Sequence, residues 1–240
     1  MTTETNTEKN AFVLLDLLRE SGKTINMHGE ECDFIDFVGS EVEQMIYNIV
    51  KELNPQLVIE LGLAHGCSAL SILQGLADNA SGGRLISMDP IQTQTYKGIA
   101  IKNIERAGLA PYHALLEERS EYGLPLLIKQ HGPALRSDFI YIDTTHQYDQ
   151  TMVEFFFCDK ILNVGGLMAF DDYNLSSVQS ACNFVETNRH YRPYHVQHEN
   201  MRVLQKTGED DRVWYHFIPF YVQTKDQMTW REKECAEQKK

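Results

Sequence analysis

Leu57-Val58-Ile59-Glu60-Leu61-Gly62-Leu63-Ala64-His65-Gly66-Cys67-Ser68-Ala69-Leu70 is the stretch on which the fold of this 240-residue chain turns. It opens as a short apolar run, Leu57 to Leu61, with the length and continuity of a parallel strand buried on both faces. A glycine-bearing turn and the start of a helix follow. Gly62 and Gly66 let the backbone turn tightly and approach a ligand, because no Cβ penalises positive φ or blocks the way. Helix amides starting near Gly66 then point above the strand ends, where ligands sit in open α/β sheets. The spacing is E-x-G-x-x-x-G, not the G-x-G-x-x-G that holds a dinucleotide pyrophosphate. Glu60 precedes the glycines and can accept hydrogen bonds from a cation or an amine, which suits the methionine part of S-adenosylmethionine. An ordinary strand-turn-helix shares this spacing, so the rest of the chain has to decide.

On the N-terminal side, residues 8–21 carry Phe12, Leu14, Leu15, Leu17 and Leu18 at helical spacing. Periodicity is lost over 22–39, with Met27–Glu31 in its middle, a lid or a plain connector, and residues 1–39 are expected to form a helical cap. Ser40-Glu41-Val42-Glu43 has the S-x-x-E of a capping box, predicting a helix from Ser40 that stops before Pro55. On the C-terminal side, strands are expected at 85–88, 112–116, 139–142 and 167–170. They alternate with helices at 67–76, 96–107, 122–129, 147–162 and 178–187, the pattern of a parallel sheet with helices on both faces. Met152, Phe155, Phe156 and Ile161 are expected to face inward, and Gly165-Gly166 to turn helix into strand. Strand-like runs at 202–205 and 213–218 flank Gly208–Asp211 and predict a C-terminal antiparallel hairpin. A charged tail over 225–240 is expected to be disordered. No repeat or linker interrupts the chain, so residues 1–240 read as a single domain.

Composition narrows the class: 42% hydrophobic and 23% charged residues describe an ordinary globular chain. A formal net charge of −12 argues against a nucleic-acid substrate, since phosphate binding draws on Lys and Arg. The partner expected instead is a small molecule. No apolar run approaches the ~18 residues of a membrane span, and the polar start lacks a secretory pattern, so neither membrane nor export is expected. The five cysteines (Cys32, Cys67, Cys158, Cys182 and Cys235) are scattered and form no C-x-x-C pair. They suggest neither disulfides nor zinc, and a cytoplasmic location fits them. The sequence leaves monomer and homo-oligomer both open.

Four of the five expected parallel strands end in acids: Glu60, Asp89, Asp143 and the pair Asp171-Asp172. The carboxyl ends of parallel strands share one sheet edge, so these groups should converge on one crevice. Asp89 lies 23 residues beyond Gly66, near the offset of the carboxylate that accepts from ribose hydroxyls in nucleotide-binding folds. Glu117, Glu118 and Ser120 follow the third strand, where an adenine edge can be read. Clustered carboxylates repel unless a cation sits among them. Asp143, Asp171 and Asp172 make a hard oxygen site suited to Mg²⁺, with helix N-capping as the alternative use of the same residues.

Together the motifs resemble class I S-adenosylmethionine-dependent methyltransferases, more narrowly the metal-dependent small-molecule O-methyltransferases of the catechol and macrocin types. The matching residues are Val58–Ala69, Arg84–Asp89, Ile142-Asp143-x-x-His146, and Gly165-Gly166 leading to Phe170-Asp171-Asp172-Tyr173, within residues 40–187. The resemblance implies an α/β, Rossmann-like methyltransferase fold with a mostly parallel seven-stranded sheet. It implies S-adenosylmethionine held by Glu60, Gly62, Ala64, Gly66, Ser68, Asp89, Glu118 and Asp143. It further implies Mg²⁺ or another divalent cation on Asp143, Asp171 and Asp172, and a small-molecule hydroxyl as acceptor, on a phenol, sugar or polyketide. Two positions depart from the catechol type: His146 stands where a lysine is usual, and Asp171-Asp172 where Asp-Asn is common. Histidine, with an unperturbed pKa of about 6.5, removes a hydroxyl proton without special tuning, so His146 is expected as general base. Three rivals remain: a metal-independent N- or O-methyltransferase, an NAD(P)-dependent Rossmann oxidoreductase, and a non-catalytic cofactor-binding scaffold. The missing G-x-G-x-x-G counts against the second and the intact set of acids against the third.

Overall fold

Asn10 opens the first helix by accepting the amides of Phe12 and Val13 on its side chain, and α1 (Ala11–Ser21) buries Ala11, Leu14, Leu15 and Leu18. The computed structural model describes residues 9–35, 38–223 and 228–237. After Gly22, a left-handed C-cap, the aperiodic segment forms a two-stranded antiparallel hairpin of β1 (Lys23–Ile25) and β2 (Glu31–Asp33). Strands of three residues are too short to register as alternation. The helix α2 (Ser40–Leu53) starts where expected but for a different reason. Gly39, with φ +86°, occupies the cap position and supplies no side-chain bond. Glu43 is fully buried and paired with Arg19 of α1, so no capping box forms.

The run Leu57–Leu61 is β3, with Val58, Ile59 and Leu61 fully buried. Each such side chain contributes about 1.5–3 kcal/mol on leaving water, which favours the middle of a sheet over its edge. Around β3 stand β4 (Arg84–Met88), β5 (His113–Leu116), β6 (Ser137–Ile142) and β7 (Leu162–Asp171), all parallel. The antiparallel β8 (Tyr191–Pro193) and β9 (Met201–Lys206) complete a seven-stranded sheet in the order β5-β4-β3-β6-β7-β9-β8. The intervening helices are α3 (Cys67–Asn79), α4 (Ile99–Arg106), α5 (Ser120–His131), α6 (Tyr148–Ile161) and α7 (Ser176–Asn188). Two apolar clusters form the core, one containing α1, α2 and α3 side chains and the other α5, α6 and α7 side chains. Strand order reverses between β3 and β6, the topological switch point at which such sheets hold ligands.

Four details differ from expectation. The glycine pair does not separate helix from strand, because β7 begins at Leu162 and runs through Gly165 and Gly166 with a register irregularity against β6. The terminal hairpin pairs β9 with β8, whereas the segment 213–218 lies outside any strand and leaves Trp214 95% exposed. In α6 the inward face carries Thr151, Glu154, Phe155, Cys158 and Ile161, while Phe156 is exposed, as a 3.6-residue period centred on Phe155 requires. Within 225–240, expected to lack order, the described residues include α8 (Trp230–Glu237), whose Glu232 accepts the Ser176 amide at 2.8 Å. Among the described residues no helix is long and apolar enough to cross a membrane, and Cys32, Cys67, Cys158, Cys182 and Cys235 are free thiols.

Candidate functional site

At the switch point the ends of β3 and β6 are in contact through their backbones. Asp143 donates its amide to Leu61 O at 2.8 Å, and Gly62 donates to Met88 O at 2.8 Å. A Cβ on Gly62, whose φ is +91°, would stand 1.7 Å from the Asp143 carbonyl oxygen. The glycine is thus demanded by the neighbouring strand as well as by the turn. Gly66, at φ +87°, caps α3 and packs against Ala100.

Above these ends opens a cavity of about 420 Å³. One wall is the loop of Gly62, Leu63 and Ala64 with Asp89; another is Asp143 to Gln147; the remainder includes Tyr96, Arg119, Ser120, Glu121 and Gln150. Asp89 is buried and accepts the amides of Leu63 at 3.1 Å, Ala64 at 3.0 Å and Ile91 at 2.9 Å. It shapes the loop and still presents its carboxylate to the cavity. Ala64, His146 and Asp172 all have positive φ, at 42°, 56° and 49°. Such backbone strain persists where the surroundings over-determine it.

Glu60 is placed differently from its expected role. Both of its oxygens are occupied, Oε1 by the Ser68 hydroxyl and Oε2 by the Ser87 hydroxyl, each at 2.6 Å, and neither Glu60, Gly66 nor Ser68 lines the cavity. His113 Nε2 lies 3.0 Å from the Ser87 hydroxyl and extends this buried chain. Burial raises the Glu60 pKa to about 7, partly offset by the two serine hydroxyls. Glu118 turns back to accept the Arg119 amide at 2.8 Å and does not line the cavity; Ser120 and Glu121 do.

His146, Asp143 and Asp172 do come together. His146 Nε2 stands 3.5 Å from Asp143 Oδ1 and 3.3 Å from Asp172 Oδ2. Burial lowers the His146 pKa, with the Asp172 charge opposing, which favours neutral imidazole. Burial, then the charges of Asp171 and Asp172, pushes the Asp143 carboxyl well above its ordinary range. Burial and Asp172 raise Asp171 to about 7. Among the described residues, His146 is the basic side chain within ion-pair distance of these acids. Hard oxygen donors without a lysine or arginine counter-charge fit a divalent cation chemically. Among the described residues, however, no group of three or more stands in a ready-made coordination set.

The sequence reading missed Tyr96, Arg119, Thr144, Gln150 and Glu154. Only Glu154 had left a signal, a charge on the apolar face of a helix, three residues after Thr151 and four before Cys158.

Comparison with known proteins agrees with this geometry. A family described as "Methyltransferase domain" matches residues 59–173. Caffeoyl-CoA O-methyltransferase 2 of Petunia hybrida is 28% identical over 141 residues, covering 54% of this chain and 50% of that protein. Catechol O-methyltransferase B of Danio rerio is 28% identical over 157 residues, covering 65% of this chain and 56% of that protein. The chain thus spans about half the length of the curated relatives it matches. The fold is shared with the O-methyltransferase from Bacillus cereus solved with SAH, at a TM-score of 0.62 and 16% identity over 82% of this chain and 90% of that one.

Proposed function

We propose that this protein transfers the methyl group of S-adenosylmethionine to a hydroxyl of a small molecule, a reading supported by the match of residues 59–173 to the family described as "Methyltransferase domain". The observation that carries the reading is the cavity at the switch point. It has the ribose-type acid Asp89 on one wall and His146, held between Asp143 and Asp172, on another. S-adenosylmethionine supplies an electrophilic methyl on a sulfonium, so the protein's task is alignment of donor and acceptor. Gly62, Leu63 and Ala64 present backbone rather than bulk to that ligand, and Asp89 accepts from its ribose hydroxyls. His146 takes the acceptor's proton as the neutral imidazole favoured by burial. Asp143, Asp171 and Asp172 would hold a divalent cation, whose chemistry there is to lower the hydroxyl pKa and orient the acceptor. Glu60 acts behind the wall, fixing Ser68 and Ser87.

Support for O-transfer comes from the relatives, which are O-methyltransferases by name. A metal-independent transfer is the second reading, favoured by the lack of a ready-made coordination set among the described residues. Residues 9–35 are read as a cap, since the Ile35 amide donates to His65 Nδ1 at 3.1 Å in the cofactor loop and Met27 donates to Lys97 O at 3.0 Å, while residues 1–8 and 36–37 of the expected cap lie outside the described residues.

The deciding experiment has two stages. Calorimetry with S-adenosylhomocysteine and with NAD(P) comes first; binding of the nicotinamide alone would sink the methyltransferase reading. Transfer of labelled methyl to a panel of phenols, catechols and sugars follows, with and without EDTA. Loss of transfer in EDTA is expected, and full activity would leave the metal-independent reading standing. His146→Ala should lower turnover by ~10²-fold or more while S-adenosylhomocysteine still binds.

A further inference from the structure

Glu154 lies in the middle of α6 with no exposed surface, on the helix face otherwise given to Phe155, Cys158 and Ile161. A carboxylate in such a place is costly unless fully hydrogen-bonded. Its Oε1 accepts the Ser120 hydroxyl at 2.6 Å and Gln150 Nε2 at 3.1 Å, and its Oε2 accepts the Thr144 hydroxyl at 3.0 Å. The three donors come from separate places: the start of α5, the first turn of α6, and the loop after β6. All three line the cavity.

The Ser120 and Thr144 hydroxyls each spend their one proton on Glu154. Both hydroxyls then face the cavity with lone pairs. Gln150 is fixed in the same sense, because the two protons of its Nε2 are shared among Glu154 Oε1, Ser120 Oγ at 2.9 Å and Glu121 Oε2 at 3.2 Å, which leaves its carbonyl oxygen as the group still open. This wall therefore offers acceptors and no free side-chain hydroxyl or amide donor. It matches a ligand edge that bears N–H, such as an amino group on a purine, and mismatches one that bears a carbonyl oxygen there.

We propose that Glu154 is a positioning residue that polarises the Ser120, Thr144 and Gln150 wall into an acceptor surface and thereby selects an amino-bearing nucleoside base. This rests on the cofactor assignment above and adds the source of its base specificity. Glu154 acts only through its three neighbours.

The test is calorimetry with S-adenosylhomocysteine and its inosine analogue, S-inosylhomocysteine, on the whole protein. Wild type should prefer the adenosine ligand. Glu154→Gln brings an amide donor that forces one hydroxyl to reverse toward the cavity, and the preference should shrink by about tenfold or more. With saturating donor, kcat should be nearly unchanged, so the loss appears in KM. Ser120→Ala, which removes one acceptor without adding a buried amide, should also lower the preference and guards against poor folding of the first variant. Equal weakening of both ligands, or unchanged preference in both variants, overturns the proposal while leaving the cofactor reading intact. A wild type that binds neither ligand overturns the cofactor reading and this proposal with it.

Discussion

Gly62 shows how a single atom's absence can serve two structural demands. Its φ of +91° suits glycine, and an added Cβ would overlap the Asp143 carbonyl oxygen at 1.7 Å. Gly62→Ala should therefore cost about 3 kcal/mol or more. Urea denaturation reads this directly, and an unchanged midpoint would mean that the two strand ends relax apart at little cost. Glu60 gives a second prediction with a definite sign. Its pKa rises from 4.5 to about 7 on folding, with burial as the largest cause. Between those values the folded state binds the extra proton, so this group's contribution to stability falls as pH rises from 4.5 to about 7. Glu60→Gln should lose less stability than wild type between pH 5 and pH 8, by roughly 1 kcal/mol or more. Thermal melts at the two pH values compare them, and parallel losses would contradict the assignment.

At the scale of elements, the C-terminal arm is the part that sequence patterning misread. Residues 213–218 read as a strand, yet none forms there, and Ile218 and Tyr221 are instead tied to α7 by side-chain amides. Asn188 donates to Ile218 O at 2.9 Å and accepts the Ile218 amide at 2.8 Å, while Asn183 donates to Tyr221 O at 3.1 Å. Asn188→Ala removes the paired bond, each half contributing about 1 kcal/mol. Limited chymotrypsin digestion should then cut near Phe217 and Tyr221 several-fold faster; an unchanged rate would show that aromatic packing on α7, such as Phe184 with Phe220, holds the arm alone. The helices and parallel strands were legible because each satisfies a local period over many residues. The β1–β2 hairpin and the β8 partner of β9 were not, since three-residue strands are specified by the surfaces they meet. Ser40 marked a helix start correctly, but its expected partner Glu43 was claimed by Arg19, a contact 24 residues away in sequence.

For the molecule as a whole, the net charge of −12 and the cluster of Asp143, Asp171 and Asp172 predict stabilisation by a divalent cation beyond the effect of ionic strength. A cation at about 100 times its Kd would add about 2.7 kcal/mol. The expected result is a higher melting temperature in MgCl₂ or MnCl₂ than in NaCl of equal ionic strength, with the difference lost in Asp171→Asn. Equal melting in both salts would argue for the metal-independent reading. The sequence by itself determined the alternation of strands and helices, the central place of Leu57–Leu61, and the row of acids at the strand ends, because these follow from local periodicity and from the rule that parallel strands share one edge. Only the tertiary structure decided what each acid does. Glu60 turned behind the wall to two serines, Asp89 took three backbone amides, Asp143 and Asp172 came to His146, and Glu154 emerged from a helix core to orient the cavity. A carboxylate's role is set by the donors and charges that meet it in space, and in this fold those arrive from strands and helices far apart in the chain.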